Sequence, residues 1–411
     1  MESTGASELL SRVTGFAYPN EVEVLWSIMI VVYPYLTGLV AGAFILASLV
    51  KIFNVKEIQA TYRLSLLTAL AFLLVAPLPL VMHLGHPERS YEIFLNPQLG
   101  SAMAVFGFVY AWYLMVVLLL EIWFDYRRDL VFWSQHAKFP VNWLYKILAL
   151  FSKDLSSEGL AFDKKAVKVI TIIGIPSAFL LHGYVGFIFG SVKANPWWSS
   201  VLMPIVFLFS AIVSGIALVL LLYMFIAPLR GEAIDIKCVD KIASFLFYAV
   251  IVDFSLEALD FIHRFYESEE SIHILSELIV DKLFVSLVVL QILLGMVVPL
   301  VMMASVRILR ANAELRKLVY FVSAILIQLG IFSTRWNVVI GGQMFSKSFR
   351  GLTTYKMEIL GIEGFLAALA LLVMPLVILW VLLLFFPPWK TLQEDGALNR
   401  LAASVPFAKD G

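Results

Sequence analysis

A histidine inside a long apolar segment is the first residue of this sequence that could do chemistry. His182 lies in the run PSAFLLHGYVGFIFG, eight residues before Gly190. In a helix that rises about 1.5 Å per residue, this places it roughly 12 Å from that end of the segment. An ionisable side chain at such depth in a membrane indicates a function. The alternative is a core histidine that is hydrogen-bonded to a neighbouring hydroxyl.

A second apolar segment carries ionisable residues at spacings of four, three and three, namely Asp253, Glu257, Asp260 and His263. These spacings place the four side chains on one face of a helix. A row of carboxylates in a membrane is typical of a proton path, in which each member is neutral or paired according to its neighbours. Gln291 and Gln328, in two later apolar segments, could line the same path. The alternative is static hydrogen bonding between helices.

A third group is the run His83-Leu-Gly-His86-Pro87-Glu88-Arg89, which follows the second apolar segment. Two imidazoles and a guanidinium at a membrane surface could bind a quinone carbonyl or deliver a proton. From the residue types alone, a surface-exposed turn is the alternative.

The composition indicates whether these groups lie in a soluble protein or in a membrane protein. Of 411 residues, 61% are hydrophobic and only 15% are charged, with a mean hydropathy of +0.91. Soluble domains carry about 25% charged residues, so this is an integral membrane protein. The zero net charge argues against a nucleic-acid partner. The single cysteine, Cys238, excludes a disulfide framework and a cluster held by four thiolates, so any iron–sulfur centre must belong to another subunit.

Nine apolar segments are long enough to cross a hydrocarbon core of about 30 Å, and helix is the structure that satisfies their backbone in lipid. The predicted fold is therefore all-α, with spans near Val24–Val50, Tyr62–Met82, Ser101–Phe124, Ala166–Gly190, Trp198–Ala227, Val239–Ile262, Leu278–Ala304, Leu315–Thr334 and Gly361–Phe386. Pro140–Phe151 is too short to span and predicts an amphipathic helix in the interface. The first twenty residues show no cleavable signal.

The distribution of basic residues predicts the orientation. Of the 30 Lys and Arg, 21 fall on one side of this nine-helix map, which makes that side cytoplasmic. We expect a multi-pass protein of the cytoplasmic (inner) membrane, with its N-terminus outside and its C-terminus cytoplasmic. Small residues at four-residue spacing, in the pairs Gly38/Gly42, Gly186/Gly190 and Ala211/Gly215, predict tight helix packing.

The histidines do not suit a cytochrome. A bis-histidine haem needs two imidazoles at equal depth on facing helices, and His182 alone lies inside the predicted bundle. We therefore expect no metal site and no haem in this chain.

Read as an ordered series, the motifs resemble those of the NrfD/PsrC family. The matching residues run from about Phe16 to Pro388 and comprise Pro19-Asn20, Gly38-Leu-Val-Ala-Gly42, Pro87-x-Arg89, Ser101-x-Met103, His182, Asn195-Pro-Trp-Trp198, Ser210–Gly215 and Arg335-Trp-Asn337. The longer relatives include HybB-like hydrogenase subunits, alternative complex III subunits and DsrP/HmeC-like subunits of sulfur metabolism, and the last group is slightly favoured.

The resemblance implies two tandem four-helix bundles with a ninth helix appended. The expected parts are 1–23 (outer segment), 24–192 (quinone-binding bundle), 193–335 (bundle with the proton path), 336–360 (outer docking loop), 361–388 (ninth helix) and 389–411 (cytoplasmic tail). It also implies a quinone, expected to be menaquinone, near the outer surface beside a ferredoxin-like iron–sulfur subunit. Smaller relatives have a histidine where this chain has Tyr33, and an asparagine where it has Ile30.

The sequence thus predicts a quinone-interacting membrane subunit that exchanges electrons with an iron–sulfur partner, with further catalytic or cytochrome subunits in the complex. The expected quinone-binding residues are Tyr33, His83, His86, Arg89 and His182, with Tyr33 and His182 as the chemically active pair. The partner is expected to dock against Arg89, the Glu267–Glu270 loop and the segment Arg335–Gly361. Two alternatives stay open, a secondary transporter or channel that uses the carboxylates, and a structural anchor without quinone chemistry.

Overall fold

The computed structural model describes residues 13–267 and 271–389. Within these residues, nine helices are long and apolar enough to cross a membrane. They are α1 (Met29–Lys51), α2 (Lys56–His83), α3 (Ala102–His136), α4 (Ser157–Gly190), α5 (Met203–Leu229), α6 (Ile236–Glu267), α7 (Ile272–Ile308), α8 (Ala313–Val339) and α9 (Phe365–Phe385). The predicted all-α membrane architecture is confirmed.

Several helices differ from the predicted spans in length or in regularity. α3 continues to His136 and α4 begins at Ser157, so both extend beyond their apolar cores. α2 combines a 3-10 segment at Lys56–Thr61 with α-helix at Tyr62–Val75 and Leu78–His83. In α7 the central stretch Ile279–Val297 is π-helical.

The helical extensions are stabilised by charged pairs at one end of the molecule. Arg63 lies 2.7 Å from carboxylate oxygens of both Asp125 and Asp129. Arg127 likewise lies 2.7 Å from Asp163. Because each of these charges has a partner on another helix, helix can continue past the point where the sequence stops being apolar. The predicted interfacial segment forms a short helix nearby, at Val141–Leu148.

α1 is the central helix of the fold. It packs against α2, α4, α5 and α8, while α5 packs against α1, α4, α6 and α8. The two helices approach so closely that a Cβ built at Gly42 would overlap the carbonyl oxygen of Ala211, and one at Gly215 would overlap the backbone of Gly42. The predicted small-residue packing is confirmed here, and it forms the seam between helices α1–α4 and helices α5–α8.

A further close approach, not predicted, joins α7 to α8 at Gly295 and Gly330. The ninth helix then returns to the first group, because α9 packs mainly against α2. The hydroxyls of Tyr126 and Tyr145 donate to the carbonyl oxygens of Phe386 and Phe385, at 3.1 and 2.9 Å. The appended ninth helix therefore packs on the first group of helices.

A small antiparallel sheet lies at the end of the bundle where α1 begins. Strand β1 (Thr14–Phe16) pairs with β2 (Arg350–Leu352), with Gly15 opposite Gly351. Gly15 has a φ of +72° and a Cβ there would overlap the backbone of Arg350, so glycine is required. We call this end the sheet end and the other the opposite end. The sequence did not predict this sheet.

Candidate functional site

His182 and Arg335 meet in the seam between the two groups of helices. Both side chains are fully enclosed, at 0% and 1% exposure. Nη2 of Arg335 donates to Nε2 of His182 at 3.2 Å and to the hydroxyl of Ser210 at 2.6 Å. A guanidinium can only donate hydrogen bonds, so Nε2 is the acceptor and the proton of the neutral imidazole lies on Nδ1. The ring of Phe207 faces both groups, 4.2 Å from Cζ of Arg335 and 5.8 Å from the imidazole.

The sequence predicts that the eighth span ends at Thr334 and that Arg335 lies in an outer loop. That prediction is wrong, because α8 continues to Val339 and directs Arg335 inward. The polar run Arg335-Trp-Asn337 lowers the hydropathy, but Arg335 donates to Ser210 and Asn337 accepts from Ser286, which both lie on other helices. The signal in the sequence was the apolar run Val338–Ile340 that follows.

A chain of hydrogen bonds crosses from α6 through α7 to α8. Nε2 of Gln291 donates to Oε2 of Glu257 at 2.8 Å, and Nδ2 of Asn337 donates to Oε1 of Gln291 at 2.7 Å. The hydroxyl of Ser286 donates to Oδ1 of Asn337 at 2.6 Å. The predicted neighbours Glu257 and Gln291 are thus brought together, whereas Asn337 was not among the predicted site residues.

Several enclosed polar atoms of this region have no hydrogen-bond partner among the described residues. They are both carboxylate oxygens of Asp253, Oε1 of Glu257, Nε and Nη1 of Arg335 and Nδ1 of His182. Arg335 lies close enough to Asp253 and Glu257 for electrostatic attraction. Buried polar atoms are normally satisfied by protein or by ordered water. Unused donors and acceptors are therefore present on α4, α6 and α8 in this interior.

The row of carboxylates leads from this interior to the sheet end. A cavity of about 50 Å³ is lined by Glu257, Asp260, Arg264 and Gln291, and is large enough for water. Asp260 accepts hydrogen bonds from Ser200 and, at 2.9 Å, from Arg264. Asp260, His263 and Arg264 also line a wide opening of about 1160 Å³ at the surface. The four predicted residues of α6 therefore lie in order between the enclosed interior and the sheet-end surface.

Gln328 has a different location. Its Oε1 accepts from the hydroxyl of Tyr35 at 2.8 Å, and its Nε2 donates to the carbonyl oxygen of Ser214 at 2.7 Å. These bonds join α8 to α1 and α5. Gln328 therefore lies in the helix seam, with partners that are not members of the carboxylate row.

Tyr33 lies near the sheet end of α1 and is 3% exposed. Its ring packs edge-on against Phe106 at 5.7 Å, and Phe106 stacks on Tyr184 at 6.2 Å. Its hydroxyl is enclosed and has no partner within the described part of the chain. The hydroxyl of Tyr33 is therefore an enclosed O–H donor without a described partner, beside the ring of Phe106.

The polar loop after α2 is mostly at the surface. His83 ends α2, and its Nδ1 lies 2.6 Å from Oε2 of Glu363, in the segment before α9. Burial raises the pKa of Glu363, but hydrogen bonds with Ser27 and His83 outweigh it, so that the pKa lies below its usual value. His86 pairs with Glu88 at 3.0 Å in solvent, and Arg89 is also exposed. His83, His86 and Arg89 are thus grouped near the sheet end, apart from the partners of His182.

Of the segments that were predicted to dock a partner subunit, one is described in the structure and one is not. The loop around residues 268–270, with the side chain of Glu267, lies outside the described residues. The segment after α8 contains a 3-10 turn at Gly341–Gln343 and strand β2. In the described portion of the chain, no group of three His, Cys, Asp or Glu side chains could hold a metal ion.

The sequence of this chain has relatives among known proteins. The family model of polysulphide reductase NrfD matches residues 18–347. The chain belongs to the NrfD family. The predicted resemblance is confirmed, and the match covers both groups of four helices and ends before α9. Members of this family are quinone-interacting membrane subunits of oxidoreductase complexes.

Individual relatives come from several kinds of complex. The chain is 30% identical over 326 residues to a selenate reductase subunit of Mesobacillus selenatarsenatis, covering 77% of this chain and 73% of that one. It is 22% identical to an Hdr-like menaquinol oxidoreductase integral membrane subunit of Archaeoglobus fulgidus, covering 84% and 78%. It is 29% identical to a putative dimethyl sulfoxide reductase membrane subunit of Halobacterium salinarum, covering 47% of this chain but only 42% of that protein.

Proposed function

We propose that this chain carries electrons between menaquinone and a ferredoxin-like iron–sulfur subunit, within an oxidoreductase complex of sulfur or hydrogen respiration. The observation that carries the proposal is the enclosed contact between His182 and Arg335, with its unused hydrogen-bonding atoms, in a chain of the NrfD family. The name of the Archaeoglobus relative supports menaquinol as the quinone. The proposed orientation places the sheet end outside the cytoplasmic membrane and the opposite end in the cytoplasm.

The residues near the sheet end fit a quinone headgroup. A quinone carbonyl accepts hydrogen bonds, and Tyr33 has an O–H with no other partner among described residues, surrounded by Phe106 and Tyr184. His83, held by the ionised Glu363, would stand at the entrance with His86 and Arg89 further out. When bound, the quinone supplies the two-electron, two-proton chemistry. Tyr33 would orient its carbonyl, and the aromatic rings would exclude water.

His182 is the proposed proton-handling residue. Its Nδ1 carries a proton that no described residue accepts, while Arg335 holds Nε2 from the other side. His182 and Tyr184 share α4, and Tyr184 stacks on the ring that contacts Tyr33. The Nδ1–H of His182 would therefore be the group that can donate to a quinone carbonyl, while Nε2 links the imidazole to Arg335.

Electrons must leave through a partner, because one cysteine cannot ligate a cluster. We propose that the iron–sulfur subunit docks at the sheet end, over Arg89 and the segment 340–361. Arg350 of that segment is exposed and positively charged, which suits an acidic partner surface. Further catalytic or cytochrome subunits would bind to the partner.

The carboxylates would couple this electron transfer to proton movement. Asp253 and Glu257 are enclosed in the bundle within electrostatic reach of Arg335, and Asp260 and His263 line the sheet-end opening. Charge changes at His182 would reach Asp253 through Arg335, since the three groups share one low-dielectric interior.

The test is quinol-dependent reduction or oxidation of the partner's clusters by the purified complex. His182→Ala should lower the rate tenfold or more, the usual size of a lost general acid–base. His136→Ala is the matched control, because His136 is exposed at the opposite end, where it contacts Phe132 one turn earlier in the same helix. A complex without any quinone response would be a structural anchor. A chain that purifies without an iron–sulfur partner would favour a transporter.

A further inference from the structure

A basic cavity lies at the opposite end of the helices, in the turn between α7 and α8. Its volume is about 340 Å³, and its lining includes Arg307, Arg310 and Arg316. The remaining lining residues are Val306 and Ala311. Arg310 has a φ of +48°, which gives the turn its left-handed bend. Three arginines from one short stretch of chain therefore line one cavity.

Two of these arginines are fixed by contacts with α6. Nη2 of Arg307 donates to the hydroxyl of Ser244 at 2.6 Å, and its guanidinium lies 5.0 Å from the ring of Phe247. Nη1 of Arg316 donates to Oδ2 of Asp240 at 2.8 Å. These contacts hold the guanidiniums in place before any ligand arrives, which reduces the entropy lost on binding.

The charges of the cavity are not balanced by these contacts. Asp240 offsets one of three guanidiniums, so two positive charges remain in excess. In addition, Nε of Arg316 is enclosed and has no hydrogen-bond partner among the described residues. Fixed guanidiniums with unused N–H groups are suited to phosphate oxygens, which accept two parallel hydrogen bonds from one arginine.

The surface around the cavity indicates where the phosphate comes from. Ile308 and Leu309, beside two of the arginines in the chain, are 78% and 77% exposed. Leu315 and Leu318, on the first turns of α8, are also exposed. Large apolar side chains next to a membrane-spanning helix face acyl chains. We propose that this cavity binds the phosphate of an anionic membrane phospholipid, whose acyl chains lie against these apolar residues.

This site is independent of the proposed electron transfer. Basic pockets between membrane helices bind lipid headgroups, and each Lys or Arg near the surface strengthens that binding about fivefold. We therefore expect the purified protein in detergent to bind phosphatidylglycerol more tightly than phosphatidylcholine of the same chain length. Native mass spectrometry of lipid-bound species measures both affinities.

The decisive variants remove charge from the cavity without breaking the pair of Arg316 and Asp240. Arg310→Gln should lower phosphatidylglycerol affinity about fivefold, and Arg307→Gln with Arg310→Gln about twentyfold. The single variant suffices if the double variant does not fold, since Arg310 is exposed. Lys317→Gln is the matched control, because Lys317 pairs with Glu314 on the same end of α8 and does not line the cavity.

Three results would overturn the proposal. One is unchanged phosphatidylglycerol affinity in Arg310→Gln and in the double variant. Another is an equal loss in Lys317→Gln, which would indicate a general surface effect. The third is binding of inorganic phosphate alone with the affinity of the lipid, abolished by the same variants, which would assign the site to free phosphate.

Discussion

A Cβ atom at Gly38 would lie 3.2 Å from Cε1 and 3.3 Å from Nε2 of His182. The imidazole is therefore held against the bare backbone of α1, where the glycine presents nothing larger than a hydrogen atom. The two glycines of α1 thus have different roles. Gly42 allows the close approach of α5, and Gly38 leaves space for the imidazole of His182.

Gly38→Ala should consequently displace His182 by a few tenths of an ångström. The displacement would weaken the hydrogen bond to Arg335, and we expect quinol-dependent turnover of the complex to fall several-fold. Overpacking would also lower the free energy of unfolding by about 1–3 kcal/mol. Gly183→Ala is the control, because its nearest contact would be an ordinary 3.8 Å to the carbonyl oxygen of Pro204. Equal turnover in the two variants would contradict this role of Gly38.

The second prediction concerns the enclosed cation. Replacing Arg335 by Met leaves Asp253 and Glu257 without their positive neighbour, and removal of one partner of a buried ionic group costs about 3–5 kcal/mol. Adding Asp253→Asn should recover part of this loss in the free energy of unfolding. A parallel cycle of Arg335→Met with Asp240→Asn, at the opposite end, should be additive. Additivity in both cycles would show that Arg335 and Asp253 do not interact.

The third prediction tests proton coupling in sealed vesicles that contain the complex. Asp253→Asn preserves size and hydrogen bonding but cannot ionise. We expect electron transfer to continue at the parental rate while the membrane potential formed per turnover decreases. Asp281→Asn, an exposed position on α7, is the control. If the Asp253 variant builds the parental potential at equal turnover, the carboxylate row is structural.

The fourth prediction follows from the lowered pKa of Glu363. Hydrogen bonds with Ser27 and His83 stabilise its carboxylate against the effect of burial, so its stabilising contribution is complete above the usual carboxyl value of 4.5. That contribution is lost as the pH falls through the lowered pKa. Glu363→Gln should therefore remove part of the acid-side decline in stability, measured by unfolding of the purified protein between about pH 3 and 7.

The exposed pair of His86 and Glu88 provides the control for that experiment. Its side chains are 73% and 66% exposed, so water screens the interaction and little stability depends on it. Glu88→Gln should follow the parental curve. If the stability of the Glu363→Gln variant also followed the parental pH curve, the contact of Glu363 with His83 would add no stability.

The membrane-spanning helices were predictable because each needs a long apolar segment, and the sequence contains such a segment for every one of them. Their ends were less predictable. Arg63 and Arg127 would ordinarily mark the water-facing end of a span, but both are paired with aspartates inside the fold, so helix continues past them. Strands β1 and β2 have three residues each and are separated by more than 300 residues, which leaves no local periodicity to detect.

The site was predictable where an ionisable residue interrupts an apolar run. His182, Asp253 and Glu257 do so, and all three are enclosed. Arg335 was missed because it stands at the edge of its run, where a charge resembles a helix end. The difference between a terminal arginine and an enclosed one depends on what the neighbouring helices offer, here Ser210 and His182, and no window of sequence contains that information.

The pairing of β1 with β2 also has a consequence for the order in which the protein is made. The first strand leaves the ribosome before α1, but its partner follows α8. Since synthesis is vectorial, residues 14–16 can pair with β2 only after α1–α8 have been made. The loop after α8 receives its final shape only then, through Glu21, which accepts hydrogen bonds from the hydroxyl of Ser346 at 2.6 Å and the N–H of Lys347 at 2.9 Å. The surface proposed for partner docking thus forms after helices α1–α8, and a partner that recognises it would not bind a chain that has been made only in part.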